Sequence, residues 1–322
     1  MDKKGIVPVF LISLPRSGST MLQRILMNHP KISSLAEPWF LLPQMYVLRS
    51  QGLLSEYNQR DTYYAMKEFI EQLPNGLEDY YSSIHDFAIS IYQKQSDPGA
   101  VYFLDKTPRY HLIIKELSEA FPEAKFIFLV RNPIQTIASM ISTFALKDMH
   151  FYEIDLKKGF QNIAQGMISL QHRSITVDYD DIVHNKDHTL GKIMDYLGLE
   201  FEPGLFRSLN DKINHSKFGD KVGIMSNEVS ANSSTKWHTM ITDGVIKKYI
   251  TRTLEEIDAG DLATYGYNKE ELLNSIPKKS WRLSMAMIYN QYKLTRSKLI
   301  KRYHLNLYRK RNRKWIKDSI IN

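Results

Sequence analysis

The stretch Val9-Phe10-Leu11-Ile12-Ser13-Leu14-Pro15-Arg16-Ser17-Gly18-Ser19-Thr20 constrains the fold more than any other part of the chain. The apolar run Ile6 to Leu14, interrupted only by Pro8 near its start, predicts a strand buried on both faces. A short polar turn with Arg16 and Gly18 follows, and Thr20 to Met27 then carries apolar residues at helical spacing. Strand, tight turn and helix together make a phosphate cradle, because the turn's N–H groups and the positive end of the helix dipole face an anion. The segment lacks the Lys-Ser/Thr pair with which the usual P-loop reaches terminal phosphates and magnesium. An ordinary strand-to-helix turn is the plainer alternative.

Further motifs follow in order. Ile32 to Ala36 predicts a short second strand that delivers Glu37 to its carboxyl end, the edge where open α/β sheets bind ligands. Glu37 before Pro38 equally suits a helix start. Helical spacing over Tyr57 to Leu73 and Leu77 to Gln95 predicts a helix-rich insertion at about 38–98, closed by the turn Asp97-Pro98-Gly99. Val101 to Leu104 is a short apolar run ending in Asp105-Lys106-Thr107-Pro108-Arg109-Tyr110. A lysine at a strand end can neutralise charge on a transferred anionic group, and a Lys beside an Asp can also be a surface pair. A helix is expected over Tyr110 to Ala120, then a buried strand Ala124 to Val130 ending in Arg131-Asn132-Pro133. Asn132 and Pro133 read as the N-cap and first residue of the next helix. Arg131 and Ser139, a guanidinium fork and a hydroxyl, suit a phosphate monoester.

These motifs resemble those of the sulfotransferases that use 3′-phosphoadenosine-5′-phosphosulfate (PAPS). Pro15 to Thr20 matches the family's 5′-phosphosulfate loop, Pro-Lys/Arg-Ser/Thr-Gly-Ser/Thr-Ser/Thr, and Phe126 to Pro133 with Ser139 matches its 3′-phosphate motif. The resemblance assigns cofactor binding to Arg16, Ser17, Gly18, Ser19, Thr20, Arg131 and Ser139, and catalytic roles to Arg16, Lys106 and Glu37. Asp105 to Tyr110 is similar to the Asp/Glu-Lys-Ser/Thr-Pro-x-Tyr motif of the glycan type and Lys106 to the corresponding lysine of the tyrosylprotein type, whereas the cytosolic small-molecule type places a histidine base where this chain has Pro108. Glu37, eight residues after His29 with six residues between it and Pro30, sits where tyrosylprotein sulfotransferases carry their glutamate base; His111 is the fallback. Ser174 to Ile182 and Met194 to Leu199 resemble a structural segment of the family in which Asp180 and Asp181 are helix caps. Within the polar loop Asn214 to Thr239, the resemblance makes Ser234, Lys236 and Trp237 a cofactor lid, with a plain surface loop as the alternative. It runs from about residue 5 to Tyr265-Gly266-Tyr267 and implies a three-layer P-loop-like α/β fold with a mainly parallel sheet over 1–268. The implied reaction moves the sulfonate of PAPS to an acceptor hydroxyl, carbohydrate or lipid-linked before peptide tyrosine.

Composition bounds the rest. The 43% hydrophobic content is ample for a packed core, and no apolar run is long enough to span a bilayer. The opening apolar run is read as the first strand, not a leader, since the phosphate turn follows it directly. Without cysteine there is no thiol chemistry, and the cytoplasm is the simplest compartment. The net charge of +8 divides unevenly. Residues 278–322 hold fourteen of the 43 Lys/Arg and one of the 35 acids, leaving an acidic body of 29 against 34. The extension 269–322, with Trp281, Met285, Ile288, Tyr292, Thr295 and Leu299 at helical spacing, predicts a basic helix. It either packs on the body or meets an anionic membrane surface. No specific nucleic-acid partner is expected. A small-molecule kinase would need a Walker lysine and a magnesium ligand, and a protein acting through the tail alone would leave the motifs of the acidic body unexplained.

Overall fold

A computed structural model describes residues 5–53, 55–209 and 236–277, together with Tyr292, Thr295, Arg296 and Leu299. These fall into two compact units, one within Met1–Arg131 and Lys158–Ser233, the other within Asn132–Lys157 and Ser234–Asn322.

The first unit is built on five parallel strands: β1 (Val7–Ser13), β2 (Ile32–Ser34), β3 (Tyr102–Asp105), β4 (Lys125–Val130) and β5 (Ser174–Asp178). Their order is β2-β3-β1-β4-β5, so β1 is central, and its register pairs Phe10 with Asp105 and Ser13 with Leu129. A central parallel strand is covered on both faces, which is why β1 reads as a continuous apolar run and is buried from Pro8 onward. On one face Val9 and Leu11 meet Leu22, Ile25 and Leu26 of α1 (Ser19–Leu26), with α9 (Tyr179–His184) and α10 (Lys186–Leu197) completing the layer. On the other face Phe10 packs edge-on against Tyr110 and Phe121 and tilted on Phe126. There α5 (Ile114–Ala120) and α8 (Gly159–Ser169) pack together, and α8 passes beside Phe128. The fold is therefore the expected three-layer α/β arrangement around a parallel sheet.

The expected insertion contains α2 (Leu41–Tyr46), α3 (Gln59–Glu71) and α4 (Leu77–Gln95), and the turn after it closes through the Ala100 N–H on the Asp97 carbonyl. Three local expectations are corrected. No helix starts at Pro38; Trp39 turns the chain through a left-handed conformation (φ 58°), and α2 opens at Leu41 with Phe40 at its N-cap. The helix expected over Tyr110 to Ala120 is two pieces, a 3-10 turn Pro108–Leu112 and α5, separated at Ile113. The cap of α9 is Asp178, whose side chain accepts from the Asp180 N–H, so Asp180 and Asp181 occupy the first turn rather than the cap.

The second unit is helical: α6 (Pro133–Phe144), α7 (Glu153–Lys157), α11 (Lys236–Met240), α12 (Gly244–Glu256), α13 (Ala259–Thr264) and α14 (Lys269–Ser275). Asn132 caps α6 as expected, accepting from the N–H groups of Ile134 and Gln135. Helix α6 packs with α11 and α12, and α14, just past the expected domain end at 268, packs on α12 and α13. Of the basic extension, Tyr292, Thr295, Arg296 and Leu299 are helical and exposed. The remainder of 278–322 lies outside the described residues, as does Ser234.

Candidate active site

All five strands point their carboxyl ends the same way, so the residues that follow them gather at one edge of the sheet. The phosphate turn leaves β1, Glu37 follows β2, Lys106 follows β3, Arg131 follows β4 and Tyr179 follows β5. The connections from β1 and β4 leave in opposite directions, and the crevice outside such a switch point is where open α/β sheets bind ligands.

The turn has the backbone of an anion cradle. Arg16 (φ 70°) and Gly18 (φ 96°) are both left-handed, which costs a non-glycine residue such as Arg16 about 1–2 kcal/mol. Gly18 is the N-cap of α1, with no side-chain cap and no acid in the first turn. The first N–H groups of a helix have no intrahelical acceptors, so this end is arranged to receive an anion. Ser17, Ser19 and Thr20 are buried, and Arg16 is half-buried. Below the turn lies Tyr179, a residue that motif reading passed over. A Cβ on Gly18 would stand 2.3 Å from its ring, and the Arg131 guanidinium stacks on that ring at 4.1 Å. Arg131 also donates from Nη1 to the Arg16 carbonyl at 3.1 Å. One tyrosine therefore supports both the turn and the arginine. The Gly18→Ala variant adds left-handed strain and a clash with a packed ring, and is expected to lose about 2–4 kcal/mol of stability. Thermal unfolding checks this, and an unchanged melting temperature would show that the turn relaxes freely.

Beside the turn stands an ion pair that joins three of the expected residues. The Lys106 ammonium donates to Glu37 Oε1 at 2.7 Å and to the Thr20 hydroxyl at 3.2 Å. Lys106 is 1% exposed, so it is no surface lysine, and the Glu37 side chain is 10% exposed. Glu37 Oε2 accepts from the Trp39 indole Nε1 at 3.1 Å. A carboxylate has about four acceptor positions, so two remain for an incoming hydroxyl. The segment before Glu37 is anchored by Gln23 of α1, whose amide donates to Ser34 Oγ and the Leu35 carbonyl, both at 2.7 Å.

Asp105 is the hub beneath this pair. Fully buried, it accepts from the Tyr92 hydroxyl at 2.6 Å, the Tyr110 hydroxyl at 3.0 Å and the Thr107 hydroxyl at 3.4 Å. Burial pushes its carboxyl up to about 6, against the pull of these donors and of Lys106. A raised acid stabilises the fold in its protonated form, and that contribution fades as pH rises through about 6. At neutral pH Asp105 is mostly ionised, and its hydroxyl partners hold it in place.

Other expected residues lie on other elements. His111, the fallback base, is buried on the 3-10 turn with its ring beside Gly159. Ser139 is half-buried on the second turn of α6, in the second unit. Trp237 is on α11, stacked on His238 at 3.7 Å, and Lys236 opens that helix. Among the described residues no group of three or more His, Cys, Asp or Glu side chains converges as a metal site.

The set of donors fits a polyanionic nucleotide: an uncapped helix start, a left-handed turn, and Arg16, Lys106 and Arg131 at one sheet edge. Comparison with known proteins agrees, since the profile described as Sulfotransferase family matches residues 8–203. The chain belongs to the sulfotransferase family. The match takes in the sheet from Pro8 onward and every residue of the Glu37–Lys106 pair and its supports. The nodulation protein NoeE of Sinorhizobium fredii is 26% identical over 260 residues, which cover 72% of this chain and 60% of that protein. The protein-tyrosine sulfotransferase of Drosophila melanogaster is 27% identical over 224 residues, covering 66% of this sulfotransferase chain and 41% of that protein. The chain thus spans about half the length of the curated relatives it matches. A solved sulfotransferase domain from the curacin biosynthetic pathway shares the fold, with a TM-score of 0.52 at 22% identity over 73% of this chain and 91% of that one. No helix among the described residues is long and apolar enough to cross a membrane.

Proposed function

We propose that the protein transfers the sulfonate of PAPS to an acceptor hydroxyl, with Glu37 as general base. The observation that carries this reading is the Glu37–Lys106–Thr20 chain set against an uncapped helix start: one acid, one buried ammonium and an anion cradle within hydrogen-bond reach. The cradle from Arg16 to Thr20 holds the donor's 5′-phosphosulfate, and Arg131 its 3′-phosphate. Ser139, Ser234, Lys236 and Trp237 are assigned to the donor by motif alone.

In the reaction Glu37 takes the proton from the acceptor hydroxyl as its oxygen bonds to sulfur, while the bond from sulfur to the 5′-phosphate oxygen breaks. Lys106 and Arg16 meet the negative charge on the sulfonate oxygens and on the departing phosphate. The products are a sulfate ester and adenosine 3′,5′-bisphosphate. Positioning and fixed charge supply the acceleration.

A carbohydrate or lipid-linked hydroxyl is the favoured acceptor, on the form of Lys106-Thr107-Pro108. Peptide tyrosine is the second reading, favoured by the spacing of His29-Pro30 and Glu37 and by the activity named for the Drosophila relative. The donor is tested by thermal shift. Adenosine 3′,5′-bisphosphate at a hundredfold excess over its dissociation constant is expected to add roughly 2.7 kcal/mol of stability, and ATP with magnesium much less. Equal shifts from the two would overturn the donor assignment and favour a kinase. Transfer from radiolabelled PAPS to a panel of oligosaccharides, lipid-linked sugars and tyrosine peptides then separates the acceptors.

A further inference from the structure

We propose that Trp39, held by Thr107 on buried Asp105, is a positioning residue that fixes the Glu37 carboxylate for proton transfer. This rests on the reading of Glu37 as base. Trp39 has a left-handed backbone that glycine would adopt without strain, so the position retains a large side chain against a local preference for none. Both ends of that residue are used. Its backbone N–H donates to Thr107 Oγ1 at 3.3 Å, and its indole N–H donates to Glu37 Oε2 at 3.1 Å. Thr107 in turn donates to Asp105, which is tied to Tyr92 of α4 and to Tyr110. The residue between Asp105 and Thr107 is Lys106, whose ammonium holds the other oxygen of Glu37. The two carboxylate oxygens are thus fixed by donors that share one buried root, the Asp105–Thr107 segment. Phe40, next to Trp39, packs edge-on against Tyr92 at 5.5 Å, so the same root also fixes the chain after the tryptophan.

The arrangement has a chemical purpose. A carboxylate gripped at one oxygen alone turns about its last bond, and a general base must present a lone pair within hydrogen-bond reach of the hydroxyl it deprotonates. Gripping both oxygens leaves the unused lone pairs in fixed directions. Neither Trp39 nor Thr107 needs to touch substrate for this.

The test has two arms. In the first, the indole N–H resonances of the chain's four tryptophans are recorded, with that of Trp39 identified by its loss in Trp39→Phe. In Glu37→Gln the Trp39 resonance is expected to move upfield, because an amide is a weaker acceptor than a carboxylate. A resonance that stays in place would overturn the proposal, and this arm needs no acceptor or turnover. In the second, Trp39→Phe and Thr107→Val are assayed for transfer from radiolabelled PAPS to the acceptor found in the panel. Each is expected to lower kcat by up to about 10²-fold with little change in the donor's KM, the effect of misplacing a reacting group. Unchanged kcat in a folded Trp39→Phe protein overturns the inference even if the wild type is active. Failure of the wild type to bind adenosine 3′,5′-bisphosphate instead strikes at the proposed function, and the resonance arm still shows whether Trp39 holds the Glu37 carboxylate.

Discussion

Glu37→Gln is expected to lower turnover by about 10²–10⁴-fold, the usual contribution of a positioned base, while binding of adenosine 3′,5′-bisphosphate survives. The replacement keeps the size of the side chain and an oxygen that can still accept from Lys106. What it removes is the charge opposite a buried ammonium, so stability should fall by about 1.5–3 kcal/mol, the strength of a hydrogen bond to a charged group. Measuring turnover, nucleotide binding and unfolding on the same sample separates the chemical role from the structural one. Turnover within a few-fold of the parent would leave Glu37 as a partner for Lys106 and nothing more. His111, buried on the 3-10 turn beside Gly159, would then be the next residue to test.

Lys106→Met is expected to be as damaging, for two reasons that act together. Its ammonium is a buried cation beside the cradle, and removing a preorganised donor of this kind costs about 10²–10³-fold in turnover. The same change strands a carboxylate whose side chain is only 10% exposed, and breaking such a pair from one side costs about 3–5 kcal/mol. The double variant Glu37→Gln, Lys106→Met should recover part of the lost stability and none of the turnover. If the loss in the double variant equals the sum of the two single losses, the residues are not coupled and the pair contributes nothing as a pair. The stabilities are read from denaturation curves and the turnover from the transfer assay.

Much of the fold was legible because it depends on neighbours in sequence. The run from Val7 to Leu14 is apolar apart from Ser13 since a central parallel strand buries both faces, and β1 needs no further information. Helix α4 begins and ends where its apolar spacing does, at Leu77 and Gln95. Asn132 and Pro133 announce α6 through local chemistry, an oxygen for free N–H groups and a ring already at helical φ. The candidate site was legible in part for the same reason. A residue just after a parallel strand arrives at the carboxyl edge whatever else the chain does, so Arg16, Glu37, Lys106 and Arg131 could be placed at that edge from position, while their roles rest on the family resemblance.

What the tertiary structure decided is which of those residues touch and what holds them. Glu37 and Lys106 are 69 residues apart, and their 2.7 Å contact exists because β2 and β3 are adjacent in the sheet. Sequence left open whether Glu37 capped a helix or faced a ligand; the left-handed backbone at Trp39 removes the helix it would have capped. Sequence left open whether Lys106 paired with Asp105 at the surface; both are buried, with Asp105 the acceptor of two tyrosine hydroxyls and Lys106 the donor to Glu37. Tyr179, 161 positions beyond Gly18, supports the phosphate turn from the end of β5, and no pattern of spacing links the two. Apolar periodicity and capping are one-dimensional signals because helices and strands bond to near neighbours or to a generic partner. Strand order is not such a signal, and at this sheet edge strand order determines which polar groups meet.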